Sequence, residues 1–257
     1  MKAKTVLVIS DPHITYPGCI EGGIDPKAES CLFQAIKIIR PDECVLIGDI
    51  GEWNSMSPWQ WKRRKRPPSE FIMPIIQKET DAINKWLDKL EYHLSDVKCN
   101  KIIVTQGNHE IWADNFALEE ARPEYTSYNL MKIKERGYDW HEHGKFTKIG
   151  KLNFTHGGHF TGLHHAYKTV IGLSASCMYG HFHNVEFAHV MHLGGAFGAW
   201  SIGCLCKLDK KFLNHRPTSW SHAFAIVHFE SDGKFHVEII DVYNGVCWVY
   251  GHRLQAK

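Results

Sequence analysis

Three short apolar segments, separated by longer amphipathic ones, are the feature that most constrains the fold of this chain. Residues 5–9, 44–47 and 101–105 are almost entirely apolar, rich in β-branched side chains and short for a helix. Such segments are typical of strands that are buried on both faces. Apolar residues at helical spacing between them predict helices over about 26–39 and 75–94. Strands that alternate with helices favour a sheet containing parallel strands.

In the second half of the chain, predicted strands follow one another closely. We predict a helix over 117–136, interrupted near Pro123, before this region, and an irregular segment over 50–69. The predicted later strands are 138–142, 146–149, 152–155, 177–180, 186–190, 223–229, 235–242 and 246–250. Asp232-Gly233 and Asn244-Gly245 have the sequences of hairpin turns. The order of elements predicts an α/β fold with mixed sheets, and the lack of repeats or a linker predicts one domain over 1–257.

Composition and charge exclude several classes of protein. With 44% hydrophobic and 23% charged residues, the 257-residue chain has the composition of a globular protein rather than a disordered one. A net charge of +2 gives no global reason to expect a polyanionic partner. No apolar run is long enough for a membrane span, and the first residues do not form a signal peptide, so we expect a cytoplasmic protein without a membrane partner.

Histidine and cysteine are the residue types that raise the question of metal. The chain has 18 His, which favours a search for metal sites, although scattered surface His is the alternative. Its eight Cys form no CxxC pair and several lie in apolar runs, which predicts buried thiols rather than a disulfide framework. Cys204 and Cys206 are compatible with metal binding or with simple alternation along a strand.

A polar cluster follows each of the three apolar segments. These clusters are Asp11-Pro12-His13, Gly48-Asp49 and Gly107-Asn108-His109-Glu110. Two later clusters, Thr155-His156-Gly157-Gly158-His159 and Gly180-His181-Phe182-His183, have similar residue types. Ligands of α/β sheets bind outside the carboxyl ends of strands, where neighbouring loops converge. Asp, His and Asn donors suit Mn, Fe, Zn or Mg, so the sequence predicts a metal site at this edge.

In this order, the five clusters resemble the signature of the calcineurin-like metallophosphoesterases: DxH, GD, GNH[DE], a single His and GHxH. The resemblance covers residues 11–183, about two thirds of the chain. It implies a four-layer α/β/β/α sandwich with mixed β-sheets, and a hydrolase in which a metal-bridging hydroxide attacks a phosphoric ester. It also implies two divalent metal ions as cofactors. We expect manganese, with Fe, Zn, Mg, Ni or Co as alternatives.

Carried over residue by residue, the resemblance implies seven metal ligands. The set is Asp11, His13 and His183 for the first ion, Asn108, His156 and His181 for the second, and Asp49 as the bridge. A shared carboxylate is needed because two cations about 3.5–4 Å apart repel each other.

Two further residues receive catalytic roles from the same resemblance. His109 is not a ligand in this scheme, and its imidazole would contact the phosphate and protonate the leaving oxygen. Glu52, three positions after Asp49, would orient His109, and an exposed glutamate of a turn is the alternative. His165 is expected to face solvent on a helix.

An insert rich in Trp and basic residues lies at about 53–68, directly after the predicted bridging residue. It contains Trp53, Trp59 and Trp61, followed by Lys62-Arg63-Arg64-Lys65-Arg66. Aromatic faces stack on bases and cations neutralise phosphates. The candidate substrate-binding residues of the insert are therefore Trp59, Trp61, Arg63 and Arg64. His159, three residues after His156, is a further candidate for contact with the substrate or with the ligands. The alternative is a packed Trp loop with a solvated charge run, and for His159 an ordinary loop residue.

This insert favours a nucleic acid or nucleotide as the partner and substrate, and hence a phosphodiesterase or nuclease-like activity. The protein phosphatases of the resembled family carry a GDxxDRG motif, and the stretch from Gly48 to Asn54 lacks its second Asp and its Arg. A phosphomonoesterase acting on phosphoproteins or small phosphates stays open as an alternative. A catalytically idle nucleic-acid-binding module is a second alternative, against which the complete ligand set argues. The oligomeric state is not predicted, and a dimer is left open.

Overall fold

The computed structural model describes residues 1–19, 22–62, 65–210 and 213–257. The helices are α1 (Pro26–Ile39), α2 (Pro58–Trp61), α3 (Ser69–Asp96), α4 (Asn108–Glu119), α5 (Ser127–Leu130), α6 (Ile133–Arg136) and α7 (His165–Leu173). The strands are β1 (Lys4–Ser10), β2 (Glu43–Ile47), β3 (Lys101–Thr105), β4 (Asp139–His141), β5 (Thr147–Ile149), β6 (Leu152–Thr155), β7 (Cys177–Tyr179), β8 (Val185–His192), β9 (Gly195–Ile202), β10 (Ala223–Phe229), β11 (Phe235–Asp241), β12 (Val246–Val249) and β13 (His252–Gln255). Short 3-10 helices span Asn54–Met56 and Pro123–Tyr125.

The first sheet has six strands in the order β11-β10-β1-β2-β3-β4. Strands β1 to β4 are parallel, and β10 and β11 join in antiparallel orientation. Val8 lies opposite Val45, which lies opposite Ile103, so the three apolar segments pair side by side. Their carboxyl ends therefore meet at one edge of the sheet.

The second sheet has five strands in the order β5-β6-β7-β9-β8. Its three inner strands are parallel to one another, and the two edge strands β5 and β8 are antiparallel to their neighbours. Strands β12 and β13 form a separate two-stranded sheet.

Alternation along the strands divides the core into layers. Leu7 and Ile9 of β1 pack in a cluster with residues of α1, α3 and α4, whereas Val6 and Val8 pack with residues of the second sheet. On the far side of the second sheet, α7 packs against β7 and β9. The resulting order is helices, sheet, sheet and helix, and the predicted α/β/β/α sandwich with mixed sheets is confirmed.

The structure corrects the start of the helix predicted over 117–136, whereas the interruption predicted near Pro123 is confirmed. Helix α4 begins nine residues earlier, at Asn108, and ends at Glu119, and a 3-10 helix, α5 and α6 follow it. The helix begins early because Gly107 is its N-cap and the Glu110 side chain accepts a hydrogen bond from the Gly107 N–H. Asn108 and His109 therefore lie in the first turn of a helix rather than in a loop.

Other helices and strands also differ from the sequence predictions. Helix α3 begins at Ser69, and α2 lies in the segment predicted as irregular. Strands β9 and β13 were not predicted. The Asn244-Gly245 turn forms, with Tyr243 and Val246 exchanging both backbone hydrogen bonds, but β12 then pairs with β13 rather than with β11.

Most of the cysteines are buried, as the sequence predicts. Seven cysteines are buried, at positions 31, 44, 99, 177, 204, 206 and 247. Across the described residues, no helix is both long and apolar enough to cross a bilayer. The single domain and the cytoplasmic location stay predictions.

Candidate metal centre

The loops that follow β1, β2, β3, β6 and β7 converge at one edge of the two sheets. Asp11, Asp49 and Asn108 come shortly after the three parallel strands of the first sheet, and His156 follows β6. His181 and His183 lie between β7 and β8. All seven residues predicted as ligands contribute to two adjoining clusters of donor atoms, described below.

The first cluster contains Asp11, His13 and His183. His13 Nε2 lies 3.0 Å from His183 Nε2, and His183 Nε2 lies 3.2 Å from Asp11 Oδ1. Asp49 Oδ2 is 3.7 Å from His13 Nε2. On the other side of the His183 ring, Nδ1 lies 3.7 Å from Cys206 Sγ, and Cys206 forms with the two histidines a further group that could hold a metal.

The second cluster contains Asn108, His156 and His181. Asn108 Oδ1 lies 3.0 Å from His156 Nε2 and 2.8 Å from His181 Nδ1. His156 Nε2 is also 3.3 Å from Asp49 Oδ2, the same oxygen that approaches the first cluster. The carbonyl of Ile47 lies 2.9 Å from His156 Nδ1, and since a carbonyl only accepts, Nδ1 carries a proton. Nε2 is then the nitrogen that would bind a cation, which displaces any proton held there.

The spacing of these donors fits divalent cations. Neighbouring ligands about 2.1 Å from one ion lie roughly 3.0 Å apart in an octahedral site and roughly 3.4 Å apart in a tetrahedral one. The separations in both clusters fall close to these values. Asp11 Oδ1 is buried without a hydrogen-bond partner among the described residues, although His183 Nε2 lies near it. A buried carboxylate oxygen without a donor is what a cation would satisfy.

Burial and neighbouring charges shift the pKa values of residues in the two clusters in opposite directions. Burial raises the pKa of Asp49, but the His156 and His109 rings outweigh it and hold that pKa well below its usual range. Burial lowers the pKa of His156, but the Asp49 carboxylate outweighs this effect and raises it to about 9. The carboxylate is therefore ionised, which suits a cation ligand.

Unusual backbone angles position these side chains. The residues with φ in the left-handed region are Asp11 (50°), His13 (49°), Asp49 (46°), His181 (71°) and His183 (61°). Such angles are uncommon outside glycine and concentrate at functional sites. Here they are stabilised by hydrogen bonds between loops: the His13 N–H donates to the Asp49 carbonyl at 3.0 Å, and the His181 N–H donates to Asp11 Oδ2 at 2.9 Å.

Two glycines of the motifs are required by close approach. A Cβ on Gly107 would collide with the backbone nitrogen and Oδ1 of Asp49, and one on Gly180 would collide with Ser10 Oγ and Asp11 Oδ2. Any side chain at either position would push the ligand-bearing loops apart.

Glu110 is a buried residue whose role the sequence did not indicate. Its carboxylate accepts hydrogen bonds from the N–H groups of Asp49 (2.8 Å), Gly51 (3.1 Å) and Gly107 (3.0 Å). Burial and the nearby Asp49 carboxylate raise the pKa of Glu110 to about 7. Glu110 therefore connects the loop after β2 to the start of α4.

His109 lies beside the second cluster and faces a cavity. Its Nδ1 is 2.7 Å from the carbonyl oxygen of Glu52, so Nδ1 carries the proton and Nε2, 3.8 Å from Asp49 Oδ2, is the free nitrogen. Its ring packs on Trp112, with centroids 3.7 Å apart. Burial lowers the pKa of His109 to about 4.

The structure corrects the contact predicted for Glu52. Its backbone carbonyl binds His109, whereas its carboxylate lies 3.1 Å from His13 Nδ1 and 2.9 Å from Lys210 Nζ. The side chain is buried, so it is not the exposed glutamate of a turn. A carboxylate oxygen of Glu52 still lies within 4.8 Å of a His109 ring nitrogen, but the partners at hydrogen-bond distance are His13 and Lys210, which draw the carboxylate to their side. A supporting catalytic role for Glu52 stays a prediction.

A cavity of about 510 Å³ opens beside the two clusters. Besides predicted ligands, His109 and Glu52, its lining includes Trp59, Trp112, Trp220 and Lys210. The last three were not singled out from the sequence. Trp112 lies one helical turn after His109 and would follow from the correct start of α4, whereas nothing local indicates Trp220 or Lys210.

Trp61 and His159, two other predicted substrate contacts, lie away from the cavity. Trp61 is half-buried, packs against the helical core and donates its indole N–H to the Ser55 carbonyl at 3.0 Å. His159 is exposed beside Phe146, with ring centroids 5.1 Å apart, and is not among the described residues that line the cavity. Arg63 and Arg64 lie outside the described residues.

His165, expected to face solvent, is instead buried. Its ring stacks on Phe182 with centroids 4.0 Å apart, and its Nε2 lies 3.1 Å from Asn184 Oδ1. Both contacts are to the loop that carries His181 and His183, so α7 supports that loop through a histidine.

Comparison with known proteins identifies the class. The family model described as calcineurin-like phosphoesterase matches residues 4–254, so the chain belongs to this family of metal-dependent phosphoric ester hydrolases. The chain is 24% identical over 263 residues to the Gene 54 protein of Mycobacterium phage L5, covering 95% of each sequence.

Two solved structures are among those similar to this chain. Vps29 of Chaetomium thermophilum shares 9% identity with a TM-score of 0.39, covering 92% of this chain and 97% of that one. TT1561 of Thermus thermophilus shares 12% identity with a TM-score of 0.35, covering 92% of this chain and 99% of that one.

Proposed function

We propose that this protein is a dinuclear metal-dependent phosphodiesterase whose substrate is a nucleic acid or a nucleotide. The observation that carries the proposal is that two groups of donor atoms approach one carboxylate oxygen, Asp49 Oδ2. Asp11, His13 and His183 would hold the first ion, and Asn108, His156 and His181 the second. Manganese is the expected metal, since oxygen and imidazole donors together suit such an ion.

When bound, divalent ions in such a site neutralise charge on the phosphate oxygens and lower the pKa of a water molecule toward neutrality. The chain's own residues position the ester. His109 Nδ1 is fixed by the Glu52 carbonyl, so Nε2 faces the cavity and carries no proton in the free site. An anionic ester beside the ring would raise its pKa, so that Nε2 takes up a proton, binds the phosphate and passes that proton to the leaving oxygen. Trp112 packs against this ring and limits its rotation.

Indole rings in the cavity support the nucleic acid or nucleotide substrate. Trp59 is 65% exposed and lines the cavity, and Lys62 Nζ lies 4.7 Å from its ring centroid. Trp112 and Trp220 line the same cavity. Bases stack on aromatic faces and cations attract the phosphates beside them. Of the basic run, Lys62 lies against the Trp59 ring, whereas Arg66 pairs with Glu119 at 2.7 Å.

The proposal is tested by metal analysis followed by a substrate panel. Purified protein loaded with manganese should contain two ions per chain and cleave bis-(p-nitrophenyl) phosphate faster than p-nitrophenyl phosphate. The panel then compares single- and double-stranded DNA, RNA, cyclic nucleotides and dinucleotides. Preference for the monoester would instead favour a phosphomonoesterase. Nucleic-acid binding without metal or turnover would favour an idle binding module.

A further inference from the structure

Lys210 is a buried lysine that lines the cavity next to the candidate metal centre. The side chain of Lys210 is 2% exposed, and its Nζ donates to Glu52 Oε2 at 2.9 Å. The preceding segment is fixed to the first loop, since the N–H groups of Leu205 and Cys206 both donate to the Asp11 carbonyl. The ammonium group is therefore held at a defined place rather than on a mobile surface chain.

The hydrogen-bond donors of this lysine are not all used. Glu52 Oε2 is shared between Lys210 Nζ and His13 Nδ1, which lies 3.1 Å away. An ammonium has three N–H donors, and among the described residues the structure shows one hydrogen bond from this one, to Glu52. Burying a cation costs free energy unless anionic groups surround it, so a cavity that keeps one favours an anionic ligand.

The neighbours of Lys210 indicate which ligand this is. The residue lines the same cavity as His13, His109 and His183, and its Nζ lies 6.0 Å from the Trp220 ring centroid. An ester phosphate seated at the metal centre would bring negatively charged oxygens into that cavity. Glu52 occupies only one of the three N–H donors of Lys210, and its Oε2 is also within 3.1 Å of His13 Nδ1.

We propose that Lys210 binds a nonbridging phosphate oxygen of the substrate and of the released product. The inference rests on the proposed function and adds to it a protein cation that acts together with the metal ions. Glu52 then holds the ammonium in place. The competing explanation is that Lys210 only neutralises Glu52 and so positions His13.

Isothermal titration of inorganic phosphate into the manganese-loaded protein tests the proposal. Lys210→Met should weaken phosphate binding about tenfold or more, because a charge-assisted hydrogen bond is lost, while the manganese content is unchanged. Lys210→Arg should keep the affinity within about threefold, since the cation remains. Lys207→Met is the matched control: it removes an exposed lysine three residues away and should change nothing.

Unchanged phosphate affinity in Lys210→Met would overturn the proposal. Parallel loss of manganese and phosphate would also overturn it, because the lysine would then act through Glu52 and His13. If Lys210→Met does not fold, the comparison is made between Glu52→Gln and the Glu52→Gln/Lys210→Met double variant, with the same loss expected.

The outcome is separable from that of the proposed function. A wild-type protein that cleaves no ester yet binds phosphate through Lys210 would refute the phosphodiesterase and support this inference. Ester cleavage with a phosphate affinity independent of Lys210 would support the phosphodiesterase and refute this inference.

Discussion

At the scale of single residues, hydrogen bonds to neighbouring loops fix the orientation of the imidazole rings in the candidate site. His109 is positioned by its backbone N–H, which donates to Asp49 Oδ1 at 2.9 Å, and by its Nδ1, which donates to the Glu52 carbonyl. Each of these contacts uses an atom other than Nε2. The ring is therefore oriented before any substrate arrives, which is what proton transfer in a defined direction requires.

Replacing His109 with Ala should lower kcat by roughly 10²–10⁴-fold, because the proton donor for the leaving oxygen is removed. The manganese content should stay the same, since no predicted ligand changes. Turnover of bis-(p-nitrophenyl) phosphate and metal analysis of the same preparation measure both quantities. Loss of manganese from this variant would contradict the role assigned to His109.

Glu110→Ala should lower the free energy of unfolding by about 2–4 kcal/mol, because three buried N–H groups lose their acceptor. Urea unfolding measures the change. Glu119→Ala on the same helix is the control, since an exposed ion pair such as the one with Arg66 contributes about 1 kcal/mol or less. Equal effects of the two substitutions would show that Glu110 does not connect the loops.

At the scale of elements, α3 supports the loop that follows the predicted bridging residue. Glu79 of α3 accepts a hydrogen bond from the Ser55 N–H at 3.2 Å and another from the Ser55 hydroxyl at 2.5 Å. Despite these bonds, burial raises the pKa of Glu79 from 4.5 to about 7. The ionised carboxylate is thus less stable in the folded protein than in the unfolded chain.

The stability contributed by Glu79 should therefore fall as the pH rises. The folded state binds more protons than the unfolded state between pH 4.5 and about 7, so the free energy of unfolding decreases across that window and levels off above it. Glu79→Gln keeps partners for Ser55 and removes the charge. It should match the wild type at pH 4 and exceed it by about 3 kcal/mol at pH 8.

Denaturant unfolding at both pH values measures this difference. Glu70→Gln, an exposed change in the first turn of α3, is the control and should show no such dependence. A constant difference between Glu79→Gln and the wild type from pH 4 to pH 8 would show that Glu79 ionises normally.

Helix α2 presents Trp59 at the cavity, and Trp59→Ala should weaken binding of a single-stranded oligonucleotide about tenfold, through loss of base stacking. Fluorescence anisotropy at constant salt measures the affinity. Trp248→Ala removes a similarly exposed indole on β12 and should leave binding unchanged. If both variants bind like the wild type, the insert is a packed loop with surface charge.

At the scale of the whole molecule, the predicted ligands come from both sheets and span residues 11–183. Metal that binds the folded state alone stabilises it by mass action. Chelation with EDTA should therefore lower Tm by about 5–10 °C, the change expected for roughly 2–3 kcal/mol in a chain of this size. Scanning calorimetry measures the shift, and Asp49→Asn should respond less. Identical melting with and without EDTA would argue against bound structural cations.

The sequence by itself determined the parallel strands and the order of the polar clusters at their ends. Apolar runs such as those of β1, β2 and β3 report burial on both faces, and this information is local. Because parallel neighbours end at one edge, the meeting of Asp11, Asp49 and Asn108 followed from the strand pattern alone. The family match confirmed the class of protein.

Only the tertiary structure decided which side chains face one another. Lys210 reaches Glu52 across 158 positions of the sequence, and Glu52 contacts His109 through its carbonyl rather than its carboxylate. Trp61 and His159 share residue types with true cavity residues but point elsewhere. The physical reason is that side-chain direction depends on loop conformation and on packing between distant elements, and neither leaves a periodic signal along the chain.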